Sequence, residues 1–420
     1  MTFVLMCTAG AMATGAPMAA VGASTPAPGT TATTAYPPSV AIDPAVATND
    51  PKVVRHPLRA QPHRSGPGKT ALTNPAPLGY TPSQVRRYLG LSGTGGGQTV
   101  AVVTAFDAPN AESDLATFDR AFGLPAPPSF HKVDASGGTR YPRTEPGWAL
   151  EAALDVQWVH AVAPAASILL VEAKSDALGN LLVAVDYAAR QPGVTVISNS
   201  WGTSAEFAGQ SAQDAHCALT TAVCVQATGD DGNPGGYPAY NPAVLAVGGT
   251  TLTLAADGTP TSEVGWSGSG GGVSTLVPRP TYQSSSPFPR RSIPDVSYDG
   301  DPATGVAVFS STKVDKESGW FQMGGTSAGT PQWSGIVAVA NGLRASNGKA
   351  PLVAVRAGGH PLHQALYGEV TRFAPPTLFD VISGSNGTCG AICSAQPSLD
   401  AVTGLGSPRR GIDVALSTAP

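Results

Sequence analysis

A serine preceded by two glycines is the strongest candidate nucleophile in this sequence. Gly324-Gly325-Thr326-Ser327-Ala328 opens an apolar segment that predicts a helix beginning near Ser327. Two glycines let the backbone turn tightly, and the free N–H groups of a helix N-terminus can stabilise a developing oxyanion. A serine at a helix start is also an ordinary N-cap, so this segment alone leaves both interpretations open.

Two acidic residues, Glu151 and Asp155, lie four positions apart in a segment predicted to form a long helix. Side chains at that spacing share one helix face, and like charges there repel. Between Gly147 and Ala166 there is no lysine or arginine to offset them, and most of the segment is apolar. A partly desolvated carboxyl pair holds one shared proton, which raises one pKa of the pair. The alternative is an exposed acidic helix face.

A third acidic residue follows a predicted strand. Gly229-Asp230-Asp231-Gly232 comes after an apolar segment that ends near Ala227. The carboxyl end of a strand in a parallel sheet is where such folds place their ligands, so a carboxyl group there is suited to a cleft. Taken alone, the same four residues are also typical of a plain turn.

A serine nucleophile needs a base, and no histidine occupies a setting that suggests one. The seven histidines are His56, His63, His131, His160, His216, His360 and His363. None of them is followed by Gly-Thr, and His160, on a predicted helix, is expected to be a packed or surface histidine. A carboxylate is therefore the alternative base.

Several motifs together resemble, in order, those of the sedolisin (serine-carboxyl) peptidases. They are Glu151 to Asp155 followed by Val162 to Ala166, Ser198 to Gly202 with Glu206, Thr228 to Asp230, Trp266 to Gly272, Pro294 to Val296 and Gly325 to Ala328. The resemblance runs from about Tyr80 to Pro408 and implies a subtilisin-like fold. It implies Ser327 as nucleophile and Glu151 as its general base. It also implies Asp155 as the partner that orients Glu151, and Asp230 as the acid of the oxyanion hole.

The roles implied by the resemblance predict hydrolysis of peptide or protein substrates at acidic pH. A carboxylate is a weak base near neutrality, but in acid a shared proton can move from serine to the leaving amine. A carboxyl group in an oxyanion hole can donate a hydrogen bond only while it is protonated. Two alternatives remain: a subtilase with an ordinary Ser-His-Asp triad, and a secreted binding protein that retains the peptidase fold without activity.

A calcium site is predicted near the C-terminus. Asp380 and Asp400 flank a Gly-containing loop, and two carboxylates suit a hard cation such as Ca²⁺. The resemblance implies side-chain oxygens from these aspartates and backbone carbonyl oxygens from Val381, Gln396 and Ser398. The family's Gly-Pro-Gly-Trp-Asp reads Gln-Pro-Ser-Leu-Asp here, and the loss of both glycines affects what conformation the loop can adopt. The alternative is a hydrated Asp-containing loop.

The elements that must position these residues alternate along the chain. Strands are predicted over Gln98–Phe106, Ser167–Glu172, Val194–Ser198, Cys224–Ala227 and Val244–Val247, and helices over Asn110–Phe122, Gly147–Val162 and Leu178–Arg190. Such alternation predicts an α/β fold with a parallel sheet covered by helices on both faces. The stretch Asp257–Asp301 is predicted to be loop-rich, and the helix near Ser327 to be the last one.

The N-terminal part of the chain differs in composition from the rest. Residues 1–23 are apolar and small, end in Val21-Gly22-Ala23 and predict a secretory signal peptide, although the first basic residue is only Lys52. Residues 24–77 are rich in Pro, Ala and Thr and predict a leader or prosegment. Residues 78–420 are predicted to form one sedolisin-like peptidase domain, secreted to the extracellular space.

Overall composition narrows the possible partners. Charged residues make up 12% of the chain, the 24 basic residues are spread thinly and the net charge is -4, so we expect no nucleic-acid partner. No segment after residue 23 is long and apolar enough for a bilayer, so we expect no membrane contact once the signal peptide is removed. We expect a monomer.

Cysteine spacing agrees with export. Cys7 would leave with the signal peptide, and the other four form two close pairs, Cys217 with Cys224 and Cys389 with Cys393. An even number in an exported chain favours disulfides, and of the three possible pairings the local one needs the least loop closure. Zinc ligation is the weaker alternative, because the spacings do not match common zinc sites.

Overall fold

The structure is a computed structural model that describes residues 40–41, 59–62, 76–356, 358–369 and 374–420. The predicted signal peptide and most of the predicted leader lie outside these residues. The strands are β1 Val40–Ala41, β2 Arg59–Pro62, β3 Thr99–Ala105, β4 Phe130–Asp134, β5 Ser167–Ala173, β6 Val194–Asn199, β7 Val223–Ala227, β8 Val244–Leu254, β9 Pro260–Gly265, β10 Gly272–Pro278, β11 Arg290–Ile293, β12 Val296–Asp299, β13 Val306–Val314, β14 Glu317–Gly324, β15 Leu378–Phe379 and β16 Ser407–Pro408. The helices are α1 Pro82–Leu89, α2 Ala111–Phe122, α3 Pro146–Val162, α4 Leu178–Ala189, α5 Thr326–Ser346, α6 Pro361–Gln364 and α7 Ile412–Thr418. Within the described ranges, none of the helices combines the length and the apolar character that crossing a membrane requires.

Seven strands of the central sheet are parallel and follow the order β12-β8-β7-β6-β3-β5-β4, and β9 adds to β8 as an antiparallel eighth strand. β3 lies in its middle, where Val102 is paired with Leu170 of β5 and with Ser198 of β6. Strands of a parallel sheet must be joined by crossovers, and here helices supply several of them. The carboxyl ends of the strands therefore share one edge, which carries the candidate site.

Helices cover both faces of this sheet. Alternate residues of β3 point to opposite sides: Val102 packs in the core formed with α3 and α5, and Val103 packs in the core formed with α4. Leu154 of α3 and Ile336 of α5 belong to the first core, whereas Leu181 of α4 belongs to the second. The predicted α/β architecture, with a parallel sheet covered on both faces, is confirmed.

One prediction about the second half of the chain holds only in part, and another is wrong. The stretch Asp257–Asp301 is loop-rich as predicted, but it also contains four short strands, β9, β10, β11 and β12. β9 forms because the extended end of β8 offers it an antiparallel edge, with Thr250 opposite Gly265 and Leu252 opposite Glu263. The helix that carries Ser327 is not the last, since α6 and α7 follow it.

Both predicted disulfides form, with the local pairing. Cys217 and Cys224 have Cα atoms 5.8 Å apart, and those of Cys389 and Cys393 are 5.2 Å apart. Both distances lie in the usual range for a disulfide bond. The first bond ties the segment before β7 to that strand, and the second closes a short turn in the C-terminal segment.

Several carboxyl groups outside the candidate site are buried. Burial raises the pKa of Glu172 and of Asp119 to about 7, and that of Asp214 to about 6. Burial also raises the pKa of Glu263, but the Arg409 guanidinium, 2.7 Å from that carboxylate, favours its charged form. A buried acid that is protonated on folding makes stability depend on pH.

We expect the domain to be most stable in mild acid. An acid whose folded-state pKa is raised stabilises the fold fully below its unfolded pKa of about 4, and this contribution is lost as pH rises through about 6 to 7. Asp134 acts in the opposite sense, because hydrogen bonding from Ser136 lowers its pKa to about 2, so its contribution is lost as pH falls below about 4. The thermal midpoint should therefore peak near about pH 4 to 5 and fall by several degrees by about pH 8. Calorimetry that finds a midpoint rising from mild acid to neutrality contradicts this prediction.

Candidate active site

Helix α3 carries Glu151 and Asp155 into the core. The helix begins after Glu145, whose carboxylate accepts a hydrogen bond from the Trp148 N–H at 2.9 Å, and Pro146 is its first residue. Every residue of α3 after Pro146 is buried, and both acidic side chains are fully so. The alternative of an exposed acidic helix face is therefore wrong.

Ser327 lies at a junction between a strand and a helix. β14 ends at Gly324, Gly325 turns the chain with a φ of 93°, and α5 begins at Thr326. This φ lies in the left-handed region that favours glycine, which explains the residue type at position 325. The fully buried Ser327 hydroxyl therefore lies at the positive end of a 21-residue helix.

Helices α3 and α5 run side by side in the same direction. The C-terminal end of α3 approaches the middle of α5 so closely that a Cβ atom on Gly335 would lie 2.7 Å from the Cβ of Val162. Near their N-terminal parts, the Ser327 hydroxyl lies beside the Glu151 carboxyl group and interacts with it. That hydroxyl makes no hydrogen bond of normal geometry within the described part of the chain. Loose contacts of this kind are common in enzymes without bound substrate and tighten on binding.

The two carboxyl groups on α3 form a coupled acidic pair. Burial, and then the charge of Asp155, hold the pKa of Glu151 well above its usual range, and the hydroxyl groups of Ser327 and Ser200 offset this only in part. Burial also raises the pKa of Asp155, whose Oδ1 accepts a hydrogen bond from Ser200 Oγ at 2.6 Å. Two acids that are buried together share one proton over a wide range of pH. Glu151 can therefore accept a proton while the pair already holds another one.

Asp230 follows β7 and contacts the first residue of α5. Its Oδ1 accepts hydrogen bonds from the Thr326 N–H at 2.7 Å and from the Thr326 hydroxyl at 3.0 Å. The Gly229 N–H donates to Thr326 Oγ1 at 3.1 Å. The charge of Asp230 also acts on Glu151, so the two groups belong to one site. The structure thus brings together all four side chains that the sequence singled out.

The two histidines that are buried in the described part of the chain, His160 and His363, are engaged away from Ser327. Among the residues that the structure describes, no histidine hydrogen-bonds to the Ser327 hydroxyl. His160 Nε2 lies 2.7 Å from the Pro125 carbonyl oxygen, and His363 Nε2 lies 2.8 Å from that of Val244. A Ser-His-Asp triad at Ser327 therefore has no support in the described geometry.

The two aspartates predicted to bind a metal contact one loop of the C-terminal segment. The Ser398 N–H donates to Asp380 Oδ2 at 2.8 Å, and the Gln396 N–H donates to Asp400 Oδ2 at 3.0 Å, so both carboxylates approach the same short loop. Ser398 has a φ of 70°, the left-handed conformation that glycine adopts most easily. The Thr403 hydroxyl contacts both the Val381 carbonyl oxygen, at 3.3 Å, and Asp400 Oδ2, at 3.1 Å. Carboxylate and carbonyl oxygens are the ligand types that calcium prefers. Over the described ranges, however, no cluster of three or more Asp, Glu, His or Cys side chains could by itself hold a metal ion.

Comparison with known proteins identifies the family. Residues 146–357, just over half of the chain, match the Subtilase family. Kumamolisin from Bacillus sp. (strain MN-32) is 29% identical over 398 residues, which cover 85% of this chain and 67% of kumamolisin. The chain belongs to the subtilase family, in its sedolisin branch.

Further relatives align with part of this subtilase. Sedolisin from Pseudomonas sp. (strain 101) is 31% identical over 183 residues, which cover 41% of this chain and 28% of that protein. Tripeptidyl-peptidase 1 from Homo sapiens is 33% identical over 192 residues, which cover 41% of this chain and 31% of that protein. This subtilase therefore aligns with under a third of the length of either relative. The relatives are serine-type peptidases, and this subtilase is classed with them.

A solved structure supports the fold. Pseudomonas sedolisin, described as a serine-carboxyl proteinase complexed with two molecules of pseudo-iodotyrostatin, superposes on this subtilase with a TM-score of 0.65. The superposition covers 81% of this chain and 98% of that one, at 24% sequence identity. At that identity the likeness establishes the subtilisin-like fold and nothing about the substrate.

Two residues of the site had no role assigned from the sequence. Ser200 donates a hydrogen bond to Asp155, and Thr326 donates one to Asp230. In each case the two residues are far apart in the sequence. Both lie inside the motifs that carry the family resemblance, directly after β6 and directly before Ser327. Their place in those motifs was a usable signal, but their partners depend on how α3, α5 and β7 pack.

Proposed function

We propose that this subtilase is a serine-carboxyl peptidase that hydrolyses peptide bonds in acid through an acyl-enzyme on Ser327. The observation that carries the proposal is the Ser327 hydroxyl beside a buried carboxyl pair, at a helix N-terminus. Its substrates are peptides or proteins, which accords with the serine-type peptidases among its relatives.

Glu151 acts as the general base in this proposal. It takes the proton from Ser327 as the serine oxygen attacks the substrate carbonyl carbon, and Asp155 orients it and shares the proton of the pair. Glu151 then gives its proton to the leaving amine as the peptide C–N bond breaks. In the second half-reaction Glu151 takes a proton from a water molecule, whose oxygen attacks the acyl carbon. Glu151 then returns that proton to the Ser327 oxygen as the ester C–O bond breaks and the acid product leaves.

Asp230 stabilises the oxyanion in this proposal. A neutral carboxyl group can donate a hydrogen bond to the developing negative charge, whereas an ionised one repels it. The N-terminal end of α5 adds positive partial charge at the same place. The proposed mechanism needs a protonated Asp230 and a carboxyl pair that holds one proton. We therefore expect peptide hydrolysis at acidic pH.

Activity on a fluorogenic peptide measured from pH 3 to pH 8 tests the proposal. Wild-type protein should have an acidic optimum, and Ser327→Ala should reduce kcat by about 10⁴-fold or more, because the covalent step is lost. Ser346→Ala, the same change at an exposed position of the same helix, serves as the matched control and should keep full activity. Activity that rises to a plateau in alkali contradicts the carboxyl mechanism. If wild type and Ser327→Ala are equally inert at every pH, the alternative of a non-catalytic binding protein is favoured.

We also propose that the protein is secreted to the extracellular space as a monomer, and that residues 24–77 are a prosegment. Support comes from the apolar residues 1–23 and from two disulfides, which persist in oxidising compartments. One part of the leader, β2, pairs antiparallel with β14, the strand that leads to Ser327. N-terminal sequencing and sedimentation of the exported protein test these points, and an unprocessed, cell-retained chain contradicts them.

We propose calcium as a structural ion held by the Asp380 and Asp400 carboxylates and by the carbonyl oxygens of Val381, Gln396 and Ser398. The approach of both carboxylates to one loop supports this proposal. When bound, the ion would neutralise two neighbouring negative charges and tie the ends of the C-terminal segment together.

Removal of calcium should lower stability. A chelator should reduce the thermal midpoint by several degrees, because an ion present at about 100 times its Kd stabilises the fold by about 2.7 kcal/mol. Added calcium should restore the midpoint. Asp380→Asn should make the midpoint insensitive to chelator, whereas Glu112→Gln, the loss of an exposed charge on α2, should not. An equal response of wild type and Asp380→Asn to the chelator contradicts the site.

A further inference from the structure

The contact between Thr326 and Asp230 has a direction that bears on where the acidic proton of Asp230 lies. Asp230 Oδ1 accepts from the Thr326 N–H at 2.7 Å, and this donor cannot be rotated away. The Thr326 hydroxyl lies 3.0 Å from the same oxygen and 3.3 Å from the Gly229 carbonyl oxygen, so Asp230 is the nearer of its two acceptors. The Gly229 N–H donates to the Thr326 oxygen and so favours a hydroxyl hydrogen that points towards Asp230.

An oxygen that accepts two hydrogen bonds is a poor place for a proton. If Asp230 carried its proton on Oδ1, that hydrogen would face the fixed N–H hydrogen of Thr326. In its neutral form, Asp230 therefore has Oδ1 as the carbonyl-like acceptor and Oδ2 as the O–H donor. A neutral acid with a defined donor oxygen is what an oxyanion hole needs.

We propose that Thr326 is a positioning residue that fixes Oδ1 of Asp230 as the acceptor and so directs the acidic proton on Oδ2 towards the oxyanion. This inference rests on the proposed function, in which Asp230 is the oxyanion acid. Thr326 is fully buried and is the residue before Ser327, so one residue sets the alignment of both the nucleophile and the acid.

The hydroxyl of Thr326 also affects the pH range over which the protein is expected to be active. Hydrogen bonds donated to a carboxyl group favour its ionised form, so without this hydroxyl Asp230 would keep its proton to higher pH. The titratable group that faces Asp230 from α3 is Glu151, and Asp231 is its neighbour in the chain. Thr326 and Gly229 contribute only uncharged donors. Loss of the hydroxyl should therefore lower kcat and at the same time extend activity towards neutral pH.

Thr326→Val, which keeps the shape and removes the hydroxyl, tests the proposal on a fluorogenic peptide. We expect kcat to fall about tenfold with KM within about twofold, the loss of roughly one hydrogen bond. The alkaline limb of the pH profile should move up by about half a pH unit or more. Thr326→Ser should restore both properties, and Thr330→Val, the same change one turn along α5, should leave the limb in place. Thr326→Ala is a second hydroxyl-free variant in case the valine variant does not fold.

Two outcomes overturn the proposal: an unmoved alkaline limb in both hydroxyl-free variants, or a serine variant as impaired as the valine variant. A double-mutant cycle with Asp230→Ala separates this proposal from the one on which it rests. If Thr326 acts through Asp230, Thr326→Val should cause no further loss in the Asp230→Ala background. Near wild-type activity of Asp230→Ala itself contradicts the proposed function, whereas an inactive Asp230→Ala with a fully active Thr326→Val contradicts only the role of Thr326.

Discussion

Glu151→Gln is expected to abolish peptide hydrolysis, with a fall in kcat of about 10⁴-fold or more. Glutamine has almost the same shape as glutamate, but its amide cannot take a proton from Ser327. The buried position of Glu151 beside that hydroxyl leaves little room for water to replace it as base. The measurement is single-turnover hydrolysis of a fluorogenic peptide at the pH optimum of the wild-type protein. Asp155→Asn should be less damaging, because Asp155 acts through Glu151.

The control for this variant is Glu112→Gln, the same change on the exposed face of α2, which should keep full activity. The thermal midpoint of Glu151→Gln should not fall, since the substitution replaces one of two coupled buried acids with an uncharged amide of almost the same shape. An inactive variant that remains folded separates a catalytic role from a structural one. A variant that still turns over with an alkaline optimum would instead point to a base outside the carboxyl pair.

Asp230→Ala is expected to lower kcat by about 10² to 10³-fold with little change in KM, the usual effect of removing one oxyanion donor. Asp230→Asn should lose less, because an amide oxygen can accept the Thr326 hydrogen bonds while the amide nitrogen donates towards the oxyanion. An amide does not ionise, so the asparagine variant should also lose the part of the alkaline limb that Asp230 causes. The full pH profile of kcat for the three proteins is the measurement.

An asparagine variant with an unchanged alkaline limb would show that another group causes that limb. Equal losses in the alanine and asparagine variants would mean that the carboxyl group does more than donate one hydrogen bond. Asp257→Asn, at an exposed turn, is a suitable control for the change of side chain. Loss of activity in that control would indicate a general effect on folding.

The parallel core could be predicted because its patterns are local. The strand predicted over Gln98–Phe106 is Thr99–Ala105, and the helix predicted over Gly147–Val162 is Pro146–Val162. Long apolar runs and helical spacing determine such elements with little help from the rest of the chain. The four strands between Asp257 and Asp301 could not be predicted in this way. They are short, β9 and β10 contain Gly and Pro, and β9 depends on an edge that only the folded β8 provides.

The candidate site could be predicted to a similar extent. Ser327, Glu151, Asp155 and Asp230 followed from residue types, spacing and the family resemblance, and the structure brings them together. What could not be predicted is which hydroxyl group bonds to which acid. That depends on distances between α3, α5 and the ends of β6 and β7, which no segment encodes by itself. The calcium ligands stay a prediction. The sequence alone does not determine in which direction the carbonyl groups of a loop point.

The close approach of α3 and α5 at Gly335 has a consequence for the chemistry several turns away. A Cβ atom at residue 335 would meet Val162 at 2.7 Å, so any larger residue would force the two helices apart. Because Glu151 and Ser327 are carried by these same helices, such a separation would widen the gap that the proton must cross. In the proposed mechanism, the distance that the proton crosses would thus depend on Gly335, a residue that has no side chain and takes no part in the chemistry.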